Sequence, residues 1–230
     1  MTGRVAFFDV DETLISGKSM GDFWSHWART AAGSPARCDL AGLLPELPRL
    51  SRENANRAYY RLFAGVAPAR LEEAGRSWYA GYRGRPDAAV VTVLAELRRH
   101  QRDGDRVVLV SGSFSACLTP LADDLGVDRV LCTRQITGPD GLLTGEVVRP
   151  VIGDGKATAI AEALTDWSVD PASCFAYGDH SSDLPMLRAV GHPVAVGTDP
   201  VLVGHARRLD WRRLPVRTGP LDREHRPAGQ

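Results

Sequence analysis

Lysine is nearly absent from this chain. Only Lys18 and Lys156 stand among 28 basic residues, the rest being arginine. The bias reads first as codon preference, and it singles out the two exceptions. Net charge is missing as well. The 28 acidic residues balance the basic ones to a formal +0, so overall charge points to neither nucleic acid nor an acidic membrane surface. Cysteine is sparse: Cys38, Cys117, Cys132 and Cys174 lie far apart, with no CxxC pair and no Cys/His cluster of zinc type. Such thiols are expected to be reduced and partly buried, which suits a cytoplasm. No apolar run approaches the roughly 20 residues of a membrane span. The short run in MTGRVAFFDV meets Asp9 too soon for a signal peptide. The expectation is a soluble cytoplasmic protein with no nucleic-acid or membrane partner.

At 230 residues and 43% hydrophobic, the chain suffices for one large domain or a domain with a sizeable insertion. Four short apolar runs read as buried strands: VAFF (5–8), RVVLVS (106–111), SCFAYG (173–178) and PVAVG (193–197), with RVLCT (129–133) a weaker fifth. Helical patterns alternate with them at 87–104, 114–126, 155–167 and 181–191. Alternation of this kind predicts an α/β fold, a parallel sheet with right-handed crossovers. QITGPDGLLTGEVV (135–148) reads instead as a hairpin attached to that sheet, turning at GPDG. Residues 17–85 break the alternation. They are helical throughout, interrupted at GSP (33–35), LPELP (44–48) and APA (67–69). The expected division is therefore a core of 1–16 and 86–204, a helical insertion of 17–85, and a tail of 205–230 whose RRLPV forms an edge strand before fraying.

Two carboxylates two residues apart close the first apolar run, in FFDVDETL (7–14). Like charges so close need a cation between them. In an open α/β sheet the carboxyl ends of the strands form the ligand crevice. The first strand delivers Asp9, Asp11 and Thr13 there, the second Ser111 and Gly112, and the third Asp179 and Asp183, while Lys156 opens a helix. Clustered hard oxygen ligands in an open crevice suit Mg²⁺, which takes one or two carboxylates plus a phosphate oxygen. A carboxylate beside Mg²⁺ and a lysine stays ionised and can attack phosphorus. Ser111, the Gly112 N–H and Lys156 would hold phosphoryl oxygens. The second carboxylate would protonate the leaving oxygen and later activate water.

DVDET, VLVSGS, the lone GK and GDHSSD, in that order, resemble the four motifs of the haloacid dehalogenase-like phosphatase superfamily, nearest to its phosphoserine phosphatase-like branch. The resemblance implies a Rossmann-like parallel sheet sandwiched by helices, with a helical cap inserted after the first strand. It implies that Asp9 is the nucleophile forming an aspartyl-phosphate and Asp11 the general acid/base. Mg²⁺ would be held by the Asp9 carboxylate, the Asp11 backbone carbonyl and Asp179. Asp183 would support the metal's water shell, Thr13 would steady the loop, and Ser111, Gly112 and Lys156 would grip the phosphoryl group. The implied activity is Mg²⁺-dependent hydrolysis of a small organic phosphate monoester. Transfer to an acceptor other than water is the alternative, and a non-catalytic binding protein on the same fold ranks behind it.

Two departures stand out. Glu12 occupies a position commonly Gly or Ser in that family, and is expected to point away from the metal toward the cap. Lys18 falls where phosphoserine phosphatases carry a glutamate for the substrate's ammonium, so phosphoserine itself is not the expected substrate. Lys18 is either a solvated cation or a contact to an anionic substrate group. The insertion is rich in aromatics. They build its own small core, or else one near the entrance, Trp24 or Trp27, packs on the substrate. Arg57 and Arg61, a turn apart, would meet an anionic substrate or solvent. GDGKAT is no nucleotide P-loop, because that motif needs glycine where Pro150 stands and Ser or Thr where Ala157 stands.

Overall fold

A computed structural model describes residues 3–30 and 49–221. Cys38 and the breaks expected at GSP and LPELP lie outside the described residues. Strands β1 (Val5–Asp9), β3 (Arg106–Ser111), β4 (Arg129–Cys132), β7 (Phe175–Gly178), β8 (His192–Val196) and β9 (Arg212–Leu214) form one sheet. Its order is β4-β3-β1-β7-β8-β9, and every neighbouring pair is parallel. RRL does form the edge strand expected of it.

The apolar runs have no polar alternation because both faces of the sheet are covered. Successive side chains of β1 point to opposite faces. Val5 and Phe7 pack with Val108, Val110 and Ala176 on one side. There they meet α6 (Asp154–Trp167) through Ile160 and Leu164, α7 (Leu184–Arg188) through Met186 and Leu187, and α8 (Pro200–Arg208) through Leu202 and Ala206. Ala6 and Phe8 face the other side with Val107 and Leu109. That face is covered by α4 (Val91–Arg102) and α5 (Ser115–Leu125), and the same apolar cluster continues beyond them into the insertion helices α1 (Ser19–Thr30), α2 (Arg52–Arg61) and α3 (Pro68–Tyr82).

Three expectations are revised. The helix expected from Asp87 starts at Val91, because Ala89–Val90 form a short strand, β2, paired antiparallel with β10 (Thr218–Gly219). The tail is thereby tied back to the end of the insertion. The boundary expected at 204/205 falls inside α8, whose buried Leu202 and Ala206 share one face four residues apart. The hairpin, β5 (Gln135–Thr137) and β6 (Leu143–Val147), is a sheet of its own. It leans on the insertion: Gly65 N–H donates to the Leu143 carbonyl at 2.7 Å and Leu143 N–H to the Val66 carbonyl at 2.9 Å.

The aromatics of the insertion are core. Phe23, Tyr60 and Phe63 are fully buried, and Trp24 and Trp27 nearly so. Phe114, just past the glycine turn that follows β3, stands edge-on to Phe23 at 5.2 Å and to Tyr60 at 5.6 Å. Such pairs favour one relative placement of the rings over others. Backbone contact locks the seat further, since a Cβ on Gly75 of α3 would lie 1.8 Å from the Ala116 carbonyl oxygen of α5.

Candidate active site

Strand register brings the candidate residues together. Asp9 lies opposite Val110 and Phe8 opposite Tyr177, so Ser111 and Asp179 emerge beside Asp9 within two residues of those pairs. Asp9, Lys156 and Asp183 are buried, at 6%, 5% and 2% exposure. The Lys156 ammonium donates to Asp9 Oδ1 and to Asp183 Oδ1 at 2.6 Å. Thr13 Oγ1 lies 3.0 Å from Asp9 Oδ2 and 2.8 Å from Asp179 Oδ1. A hydroxyl has one proton to give, so it serves only one of these carboxylates at a time.

Local structure aims each group. Lys156 sits in the first turn of α6, entered through Gly153 with φ 54°. Asp183 closes a single 3₁₀ turn that His180 caps: the imidazole accepts from Ser182 N–H at 3.0 Å, and Asp183 Oδ2 accepts from His180 N–H at 3.2 Å. His180 thus has a capping role and lies outside the acid cluster. Asp11, half-buried, accepts from Ser19 N–H at 3.0 Å at the start of α1, where the exposed amides of a helix favour an anion.

Electrostatics report a shortage of positive charge. Burial pushes the Asp9 carboxyl upward, and the charges of Asp183 and Asp179 add to it against the pull of Lys156. Asp179 is raised by burial too, opposed by its bond from Thr13. Burial alone would lower Lys156, yet Asp183 and Asp9 outweigh it and hold the ammonium protonated. One ammonium, bonded to Asp9 and Asp183, thus stands against three carboxylates, Asp179 being the third, with oxygens that lie within 4.8 Å of one another. An all-oxygen set short of positive charge fits a hard divalent cation such as Mg²⁺.

Asp11 is raised to about 6, by burial first and then by the Asp9 charge. A folded pKa above the ordinary 3.8 means the fold binds this proton more tightly than the unfolded chain. The stability it contributes is fully present below that ordinary value and is lost as pH rises through about 6. Chemical denaturation of the metal-free protein should therefore show stability falling from pH 4 to pH 7. Asp11→Asn should remove up to about 2 kcal/mol of that fall; an unchanged slope would refute it.

Not every expected residue joins the cluster. Lys18 is exposed and pairs with the Glu12 carboxylate at 3.2 Å, and Glu12 itself takes a left-handed φ of 63°. Trp24, considered for the entrance, is buried against Tyr59 and Phe63, because a small helical layer needs large rings to fill it. Arg57 reaches Glu53 at 3.4 Å and the Val147 carbonyl, and Arg61 reaches Glu146 at 3.3 Å. Both arginines face the hairpin.

Other residues reach the Ser111–Ser113 loop with no motif to announce them. Asn56 Nδ2 and Tyr60 Oη each donate to the Gly112 carbonyl at 2.8 Å, and Ser19 Oγ donates to Ser113 Oγ at 2.9 Å. The only available sign was spacing, since Asn56 and Tyr60 stand four apart on one helical face.

The sequence pattern of the haloacid dehalogenase-like hydrolases matches residues 6–188. The chain belongs to that family. Over 115 residues it is 40% identical to the inhibition of morphological differentiation protein of Streptomyces azureus, covering 50% of this chain and 42% of that one. The chain thus spans less than half the length of that relative. It is 32% identical over 197 residues to a phosphoserine phosphatase of Halobacterium salinarum, covering 84% of each. A solved Bordetella pertussis protein of unknown function has a TM-score of 0.81 at 26% identity, covering 93% of this chain and 99% of that one. A substrate-bound phosphoserine phosphatase has a TM-score of 0.64 at 18% identity, covering 94% of each chain, and shares the fold. These matches put the chain in the phosphoserine phosphatase-like branch of the haloacid dehalogenase-like hydrolases. Among the described residues no helix is long and apolar enough to cross a membrane.

Proposed function

We propose that this protein is a Mg²⁺-dependent phosphatase that hydrolyses a small organic phosphate monoester through an aspartyl-phosphate on Asp9. The observation that carries this is the buried strand-end carboxylate of Asp9, held by a buried lysine on one oxygen and by a threonine hydroxyl on the other. That arrangement leaves the carboxylate oriented as a nucleophile. Asp9, Asp179 and the Asp11 backbone carbonyl would hold Mg²⁺, with Asp183 supporting its water shell and Lys156. The bound ion would supply charge to offset the phosphoryl oxygens.

In the first step an Asp9 oxygen bonds to phosphorus as the ester P–O bond breaks, and Asp11 gives its proton to the departing oxygen. In the second, Asp11 takes a proton from water as that water's oxygen bonds to phosphorus. Inorganic phosphate leaves and the Asp9 carboxylate is restored. A carboxyl raised to about 6 suits both halves of this exchange near neutral pH. Ser111, the Gly112 N–H and Lys156 would hold the phosphoryl oxygens. The insertion helices would act as a cap that excludes water.

The substrate is proposed to be an ester other than phosphoserine. Lys18 stands where the family resemblance places a glutamate for the ammonium, and its partner is Glu12. Hydrolysis of an aryl phosphate, phosphoserine and a panel of organic phosphates, with Mg²⁺ and with chelator, tests the proposal. Turnover of the aryl ester that disappears on chelation is expected, with phosphoserine the poorer substrate. Turnover that survives chelation would reject the metal, and a clear preference for phosphoserine would reject the substrate reading.

A further inference from the structure

The peptide joining Gly112 to Ser113 is held from both sides. Its carbonyl accepts two donors from the insertion helix α2, Asn56 Nδ2 and Tyr60 Oη, each at 2.8 Å. Its N–H donates to Ser111 Oγ at 3.0 Å. Ser113 is held as well, through Ser19 Oγ at 2.9 Å, and Ser19 N–H in turn binds Asp11. Tyr60, Asn56, Ser111, Ser113 and Ser19 are all at least 96% buried, Asn56 being the most exposed at 4%. A carbonyl oxygen only accepts, so the amide nitrogen of Asn56 must be the atom facing it.

Glycine at 112 makes this restraint necessary. A Cβ there would come within 2.6 Å of Ile152 Cγ1, so the close approach requires glycine, and glycine lets the peptide turn over at little cost. Turned over, the Gly112 carbonyl would face Ser111 and take the proton of its hydroxyl. In the observed orientation Ser111 Oγ accepts from Ser113 N–H and keeps its own O–H free to donate.

We propose that Asn56 and Tyr60 are positioning residues for phosphoryl binding, fixing the Gly112–Ser113 peptide so that the Ser111 hydroxyl remains a free donor to the phosphoryl group. The inference rests on the phosphatase reading of the same site. Its consequence is that the Ser111 hydroxyl is presented correctly only while α2 is seated on the loop, which couples the insertion to the grip on phosphate.

The test compares Tyr60→Phe, Asn56→Leu and the double variant in wild-type and Ser111→Ala backgrounds. The readouts are kcat/KM on an aryl phosphate with Mg²⁺ and the affinity for inorganic phosphate by calorimetry. Each single variant should lose about 10-fold in both readouts and the double variant about 100-fold. In the Ser111→Ala background the same changes should cost less than about 2-fold, since the group they position is gone. Equal losses in both backgrounds would overturn the proposal, as would unchanged phosphate affinity in a folded double variant. If the double variant does not fold, Tyr60→Phe decides alone, because it removes one oxygen and keeps the ring. A wild type that neither hydrolyses the ester nor binds phosphate would overturn the phosphatase reading itself. An active wild type with background-independent losses would overturn only the role given to α2.

Discussion

Asp9→Asn is expected to lower kcat on an aryl phosphate by about 10⁴-fold or more while the protein stays folded. Asparagine matches aspartate in size and can keep both contacts. Its Oδ1 can accept from Lys156 where Asp9 Oδ1 does now, and its amide can face Thr13 Oγ1, which then donates to Asp179. What it loses is the carboxylate able to attack phosphorus. Burial and two neighbouring carboxylates already push the Asp9 proton affinity upward, so the neutral amide removes a crowded charge from the metal-free fold. Thermal melts without metal should show the variant as stable as the wild type, or more so. Residual turnover above a tenth of wild type would reject Asp9 as the nucleophile. Lost activity together with a collapsed fold would mean that the residue is structural.

Lys156→Met carries the second large effect, on stability as well as rate. The ammonium is buried between Asp9 and Asp183, and removing one partner of a buried charged set leaves the others uncompensated, at about 3–5 kcal/mol. Loss of a positive group beside the phosphoryl oxygens should cost about 10³-fold in kcat/KM. The pH dependence identifies the cause. Asp9 is already raised to about 8, and without the lysine it would rise further and stay protonated in the folded variant. Stability held by that proton is fully present below the unfolded carboxylate value of 3.8 and is lost as pH climbs toward the folded one. The lysine's own contribution is constant across this window, because its folded pKa is raised above the ordinary 10.5. The gap between wild type and variant should therefore stay level in denaturation from pH 4.5 to pH 7.5 and widen above about pH 8, where the wild-type carboxyl ionises and the variant's keeps its proton. A gap that stays level above about pH 8 as well would show that the loss is one of packing.

Much of the candidate site's arrangement was legible in the sequence because it is local. An apolar run that ends in Asp9, Asp11 and Thr13, or in Ser111 and Gly112, states both the strand and what its carboxyl end presents. A parallel sheet then brings such ends together whatever the loops do. RRL was readable as an edge strand for the same reason. The first turn of α6 was readable too, since a lone lysine after glycine in an arginine-rich chain stands out.

Contacts between distant segments were not legible. Nothing in QITGPDGLLTGEVV says that the hairpin pairs with Gly65 and Val66, because an exposed strand edge accepts any backbone of suitable shape. Nothing in Ala89–Val90 announces pairing with Thr218–Gly219. The aromatic residues of the insertion are equally compatible with binding a ligand and with filling a core, and only their packing around Phe63 and Phe114 decides for the core. Arg57 and Arg61 have a helical spacing that fits an anion, yet tertiary placement turns them to the hairpin. By itself, then, the sequence determined the sheet, the strand-end carboxylates and the lysine, because these follow from short-range pattern and a fixed topology. The tertiary structure alone decided that α2 reaches the Gly112 carbonyl, because that depends on where a helix 52 residues away in the chain comes to rest.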